Sequence, residues 1–206
     1  MDTDAKPCGC SEYFACPKCL PSAFETYDRG TIPYAVRNDN SGPRSLGPRT
    51  EISSGAAIGS PPFSYRDGVP VPRNGGVTIG ADVEIMPFAN IVRGTERDTT
   101  IGDGCKIDAF VHVAHDVILG KRCILAAGTI VGGWCEIGDD VYCGVGALIK
   151  PRVRVGAGAK IGMGAVVLRD VPDGAVMVGN PARLLKWRKG FEPPDAEGAA
   201  TIAGRR

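Results

Sequence analysis

The sequence predicts an all-β protein, a coil of very short strands that repeats every six residues. Three observations carry this. Val plus Ile number 34 against 8 Leu, and β-branched side chains suit strands where a helical bundle would be rich in Leu. Gly accounts for 29 of 206 residues, about twice the usual ~7%. An aliphatic residue then recurs at every sixth position through Ile101, Ile107, Val113, Leu119, Leu125, Val131, Ile137, Cys143, Ile149, Val155, Ile161 and Val167. Cys143 is the single exception, and it is small and readily buried.

A period of six matches neither the 3.6 of a helix nor the 2 of a flat strand. It fits a coil in which each strand supplies inward residues and then turns a corner that glycine permits. The residue four places after each anchor is small or β-branched, as in Cys105, Val111, Val117 and Cys123. The residue directly after the anchor is Gly at seven of the twelve. Three hexads make a triangular turn of 18 residues, which stacks on the next at the strand spacing of roughly 4.8 Å. The core-register cysteines Cys105, Cys123, Cys135 and Cys143 are expected to be packing thiols, with Cys105 stacked on Cys123.

The order of elements follows. Residues 1–50 form a Cys-containing segment and linker. Cys8, Cys10, Cys16 and Cys19 stand in a C-x-C-x5-C-x2-C arrangement, a thiolate set able to close a structural zinc site. Residues 51–178 form the coil of five to six turns. Ile52 and Ile58 open it, and the Pro- and Gly-rich stretch 59–76 leaves it before Ile79, Ile85 and Ile91 resume the phase. The spacing from Ile91 to Ile101 is ten, so four residues loop out around Arg97. Residues 179–190 are expected to form a short helix, with Asn180 as N-cap, Pro181 at its first position and Gly190 at its end. Leu184, Leu185 and Trp187 would face the coil. Residues 191–206 are expected to be a flexible tail.

Composition excludes several functions. A net charge of +1 offers no electrostatic case for nucleic acid. No apolar run reaches the roughly 20 residues of a membrane span. MDTDAKPCGC does not read as a secretory leader, so a cytoplasmic location is expected.

The chemistry is expected at the two histidines, His112 and His115. A neutral imidazole suits a general base near neutral pH. His115 falls two places after the anchor Val113, at a corner, and Gly133 lies 18 residues later, one turn along. A backbone N–H there is placed to meet a developing oxyanion. Asp116 is placed to orient the imidazole or stabilise its charged form. His112 is expected to shape the substrate site.

The hexads resemble the hexapeptide-repeat acyltransferases. That resemblance, not the period, implies a left-handed parallel β-helix and a homotrimer with sites between subunits. HVAHDVILGKRCILAAGTIVGG and NGGVTIGADVEIMPFANIVRGTERDTTIGDGCKID look like the coil of the lipid A-pathway acyltransferases, closest to the UDP-acylglucosamine N-acyltransferases and near the UDP-GlcNAc O-acyltransferases. GSPPFSY resembles a GSxGFGY stretch of the N-acyltransferases. The resemblance implies His115 as general base and Gly133 as oxyanion donor. VPDGAVMVGNPARLLKWRKG is instead similar to CoA-dependent sugar acetyltransferases, where a Gly-Asn-Pro-Ala loop lies near the coenzyme. It implies acetyl-CoA as co-substrate, with Gly144, Asn180 and Pro181 on its side, and the basic Lys150 and Arg152 on the later turns are expected to meet its phosphates. Phe63, Tyr65, Arg93 and Arg97, on the extruded loops, are the expected contacts to a sugar or nucleotide-sugar.

The expected function is therefore transfer of an acyl group, foremost acetyl, from a thioester to an amino or hydroxyl group of such a sugar. Two alternatives stay open. One is an acyl-carrier-protein-dependent N-acyltransferase of the lipid A type. The other is a non-catalytic trimeric scaffold, which would need neither His115 nor Gly133.

Overall fold

A computed structural model describes residues 43–70 and 74–191. Cys8, Cys10, Cys16 and Cys19, the linker to residue 42 and the expected tail from residue 192 lie outside the described residues. The first turn of the coil is β1 (Ser45–Leu46), β2 (Glu51–Ile52) and β3 (Ala57–Ser60). A hairpin of β4 (Tyr65–Arg66) and β5 (Val69–Pro70) follows. The second turn is β6 (Val77–Ile79), β7 (Glu84–Ile85) and β8 (Asn90–Val92), and the third is β9 (Thr99–Ile101), β10 (Lys106–Ile107) and β11 (His112–Val113). The fourth is β12 (Ile118–Leu119), β13 (Ile124–Leu125) and β14 (Ile130–Val131). The fifth is β15 (Glu136–Ile137), β16 (Tyr142–Cys143) and β17 (Leu148–Ile149). The sixth is β18 (Arg154–Val155), β19 (Lys160–Ile161) and β20 (Val166–Val167). Beyond it lie β21 (Ala175–Val178) and β22 (Arg183–Trp187).

The strands stack into three parallel sheets, one per face. The first face runs from β1 to β18, the second from β2 through β19, and the third from β3 to β20. Register advances by one turn at each step, as in Lys106 with Ile124 and Ile124 with Tyr142. Leu46 precedes Ile52 by six, so β1 carries the hexad one step earlier than residue 51.

Both inward files form the core. The anchors are buried, and so are Cys105, Val111, Val117, Cys123, Cys135 and Val141 four places on. The four coil cysteines are free thiols. Burial pushes the Cys143 thiol up to about 12 and that of Cys135 up to about 11. Thiolate chemistry is thereby suppressed at Cys135 and Cys143, and all four cysteines, buried in the inward files, serve as packing groups.

Glycine acts by close approach. A Cβ on Gly144, directly after Cys143, would lie 2.7 Å from the backbone N of Met163 in the next turn. The left-handed residue of each corner sits two places further on, and many are not glycine: Phe110, Asp116, Trp134 and Arg152 all have φ near +60°.

The expected helix at 179–190 is not formed. β22 pairs antiparallel with β21, which itself lies parallel to β19 on the second face. The chain reverses between them through Gly179 at φ +90° and a cis Asn180–Pro181 peptide. The physical reason is the open ladder at the end of the coil. Strand pairing satisfies its exposed backbone groups, which a helix laid across them would leave unpaired. Leu184 and Leu185 are consequently exposed, and Trp187 alone of the three packs against the core.

Candidate active site

The corner between the third and first faces gathers the sequence-predicted chemistry. Asp116 adopts φ +60°, which folds its side chain back beside that of His115. His115 Nδ1 lies 2.7 Å from Asp116 Oδ2. The imidazole is 22% exposed, while the Asp116 side chain is fully buried. One turn along, Gly133 meets the ring: a Cβ there would lie 2.9 Å from His115 Nε2 and 2.8 Å from Cε1. Glycine is needed at this position so that the imidazole can sit against the backbone.

The looped-out residues 93–98 explain how a carboxylate survives in the interior. Its Oδ1 accepts from the backbone N–H groups of Glu96 at 3.0 Å and Arg97 at 2.9 Å. Thr95 donates its N–H to Oδ2 at 3.0 Å and its hydroxyl to the same oxygen at 2.6 Å. Successive N–H groups converging on an anion form a nest. Gly94 makes the bend possible, since a Cβ there would fall 1.6 Å from the Arg97 carbonyl oxygen. Burial pushes the Asp116 carboxyl up. The Thr95 hydroxyl and the N–H groups of Arg97, Thr95 and Glu96 outweigh it and hold it at about 2. An ionised Asp116 only accepts, so His115 Nδ1 carries the proton and Nε2 is left as the basic nitrogen.

The other predicted residues divide by place. His112, on β11, is half-buried, and its Nδ1 lies 3.4 Å from Asn90 Nδ2. Burial, with a smaller contribution from His115, lowers its pKa, so it is neutral at neutral pH. Arg97 donates Nε to the Asp116 carbonyl and pairs with Glu136 at 3.4 Å. Lys150 and Arg152 sit on the same corner one turn beyond Gly133. Arg93 donates to the Gly75 carbonyl at 3.1 Å. Phe63 and Tyr65 form an edge contact, centroids 5.1 Å apart, within the excursion after β3. Gly144 lies at the corner between the second and third faces, and Asn180 and Pro181 in the terminal turn. No described contact joins these last five residues to His115.

Trp134 escaped the sequence reading. It follows Gly133 in the left-handed position, and the guanidinium carbons of Arg97 and Arg152 lie 5.2 and 5.3 Å from its ring centroid. Such cation–π contacts hold two positive charges against the ring of Trp134, which follows Gly133. Among the described residues there is no cluster of side chains able to hold a metal ion. Nor is there a helix long and apolar enough to cross a membrane.

Residues 98–133, which contain both histidines, Asp116 and Gly133, match the family described as bacterial transferase hexapeptide (six repeats). The chain is 41% identical over 145 residues to the UDP-3-O-acylglucosamine N-acyltransferase of Caulobacter sp. (strain K31), covering 68% of this chain and 43% of that relative. The chain belongs to the hexapeptide-repeat transferase family. Among solved hexapeptide-repeat structures, Arabidopsis UDP-N-acetylglucosamine acyltransferase superposes with a TM-score of 0.62 at 28% identity, over 75% of this chain and 55% of that one. A His-to-Asn variant of perosamine N-acetyltransferase from Caulobacter crescentus, in complex with CoA and GDP-perosamine, gives 0.54 at 29%, over 66% and 56%. The fold is the left-handed β-helix of these transferases. The chain spans about two-fifths of the length of the curated relative it matches.

Proposed function

We propose that this hexapeptide-repeat protein is an acyltransferase that acylates the amino group of a nucleotide-linked sugar, drawing the acyl group from a thioester. The observation that carries the proposal is the His115–Asp116 pair, with Nε2 against Gly133. His115 Nε2 takes the proton of the acceptor amine as its nitrogen attacks the thioester carbonyl. The new C–N bond forms, and the carbonyl oxygen becomes an oxyanion. Asp116 stabilises the imidazolium that results. The Gly133 N–H, which has no acceptor among the described residues, is the oxyanion donor. On collapse the C–S bond breaks, and His115 returns its proton to the leaving sulfur.

Nitrogen is preferred over oxygen as the acceptor atom because two of the similar proteins, the Caulobacter relative and the perosamine enzyme, are both named for N-acyl transfer. Two donors are favoured by different observations. The 41% identity to a UDP-3-O-acylglucosamine N-acyltransferase favours an acyl chain on carrier protein and a UDP-linked acceptor. The CoA bound in the perosamine enzyme favours acetyl-CoA, with the phosphates met by Arg152 and Lys150. We further propose a homotrimer working in the cytoplasm. The trimer is supported by Phe88 and Phe110, exposed at 62% and 65% and stacked 5.3 Å apart on one corner, because solvent-facing aromatic pairs favour burial against another surface.

The test is a direct competition. Purified protein is given UDP-linked and GDP-linked amino sugars with acetyl-CoA or with hydroxyacyl carrier protein, and products are read by mass. An acetyl increment assigns CoA, and a hydroxyacyl increment assigns the carrier protein. Transfer that continues undiminished in the His115→Ala variant would overturn the mechanism.

A further inference from the structure

The geometry points to Thr95 as a positioning residue whose hydroxyl sets how much of the Asp116 charge reaches His115, an inference that rests on the acyl-transfer reading above. Thr95, Thr99 and Asp116 are three of the four fully enclosed polar residues among those described, and all three meet at this corner. Their roles differ. The Thr99 hydroxyl accepts from the Asp116 backbone N–H at 2.9 Å and so fixes the chain. The Thr95 hydroxyl goes to the carboxylate, and to the oxygen that His115 uses.

Asp116 Oδ2 is thus shared by the Thr95 hydroxyl at 2.6 Å, the Thr95 N–H at 3.0 Å and His115 Nδ1 at 2.7 Å. A carboxylate oxygen has a limited capacity to accept, and each donor drawn to it reduces what it offers the others. The backbone donors at Thr95, Glu96 and Arg97 fix the orientation of the carboxylate whatever the side chain at position 95. The hydroxyl is the part of the cradle that a substitution can remove. Thr95 as a residue is 3% exposed, so water does not replace the hydroxyl, and branching at Cβ keeps its rotamer stiff.

Among the described residues, the side-chain contacts of the Asp116 carboxylate are those of the Thr95 hydroxyl and His115. The Arg97 guanidinium goes to the Asp116 main-chain carbonyl and to Glu136. The other charged or titratable groups on the neighbouring elements are His112 on β11, Arg93 and Glu96 in the loop, Glu136 on β15 and, two turns on, Arg152. None of them hydrogen-bonds to the carboxylate.

The test compares Thr95→Val, which keeps the shape and removes the hydroxyl, with Thr95→Ser, which keeps the hydroxyl. The chain has two histidines, so the ring Nδ1–H resonance of His115 is assigned against His112→Asn. In Thr95→Val this proton is expected to move further downfield, as the His115–Asp116 hydrogen bond strengthens. The acid limb of kcat/KM is expected to shift upward by about half a pH unit. Thr95→Ser should return both to the wild-type position. If Thr95→Val does not fold, Thr95→Ala makes the same comparison. A resonance that stays in place when the hydroxyl is lost overturns the inference, even if the protein melts earlier. So does a serine variant that behaves like valine. The resonance needs no substrate, so a failure of the acyl-transfer reading would show separately, as undiminished turnover in His115→Ala.

Discussion

The Asp116 carboxylate accepts hydrogen bonds from five donor groups: the Thr95 N–H and hydroxyl, the Glu96 and Arg97 N–H groups, and His115 Nδ1. This crowding determines what substitution does. In Asp116→Asn one acceptor oxygen remains, and an amide N–H₂ is turned toward donors. Each orphaned buried donor costs about 1–3 kcal/mol, so the variant should melt earlier as well as turn over more slowly, measured by calorimetry and by initial rates. Its pH dependence has a definite sign. The folded carboxyl is held at about 2, below the ~3.9 of an unfolded aspartate. The stabilisation is fully present above about pH 4 and is lost as pH falls from about 4 through 2. It amounts to about 2 kcal/mol, and Asp116→Asn should remove that acid-dependent portion from urea titrations across this range. His115→Ala removes the base itself, and kcat should fall by about 10²–10⁴-fold with the melting temperature little changed.

At the scale of single elements, the glycine after β14 gives a sharper test. A Cβ in Gly133→Ala would press on His115 Nε2 and Cε1 at under 3 Å, displacing the ring from its place beside Asp116. A displacement of about 1 Å is expected to lower kcat about 10²-fold, read as a fall in kcat with a smaller change in KM. The His115 and Gly133 register was legible in the sequence because the 18-residue turn aligns them however the corner is shaped. The ten-residue gap before Ile101 was legible as a loop, but its purpose was not. Thr95 and Asp116 are 21 residues apart, and only the three-dimensional turn brings the loop under the carboxylate. Trp134 was missed because its significance lies in Arg97 and Arg152, which come from two other turns. β22 was missed for a different reason. Asn180, Pro181 and Gly190 are locally sound helix signals, and pairing with β21 overrides them.

For the whole molecule, the core is a stack in which each turn contacts its neighbours, so stability is expected to be additive along the coil. Ile107 is almost fully enclosed, and Ile107→Ala should cost about 2–5 kcal/mol, checked by denaturant unfolding. The far end is closed by the chain itself. Arg188 donates to the Gly158 carbonyl at 2.6 Å, and Phe191 lies so close that a Cβ on Gly174 would fall 2.0 Å from its ring. Phe191→Ala is expected to speed hydrogen exchange in β19 and β21 ahead of β10 and β13, measured by mass spectrometry. Light scattering should return the mass of three chains for the intact protein.

The loop at 93–98 bears also on how the protein meets its solvent. The negative charge of Asp116 is neutralised by amide dipoles at bonding distance, with no water between. Dissolved ions screen over roughly 8 Å in physiological salt and act on exposed charge, so they cannot thin a field confined within one hydrogen bond. Arg152, by contrast, stands in the open. Raising ionic strength should therefore weaken the capture of phosphate-bearing ligands while leaving the His115–Asp116 pair as it was, separating encounter from chemistry with nothing more than added sodium chloride.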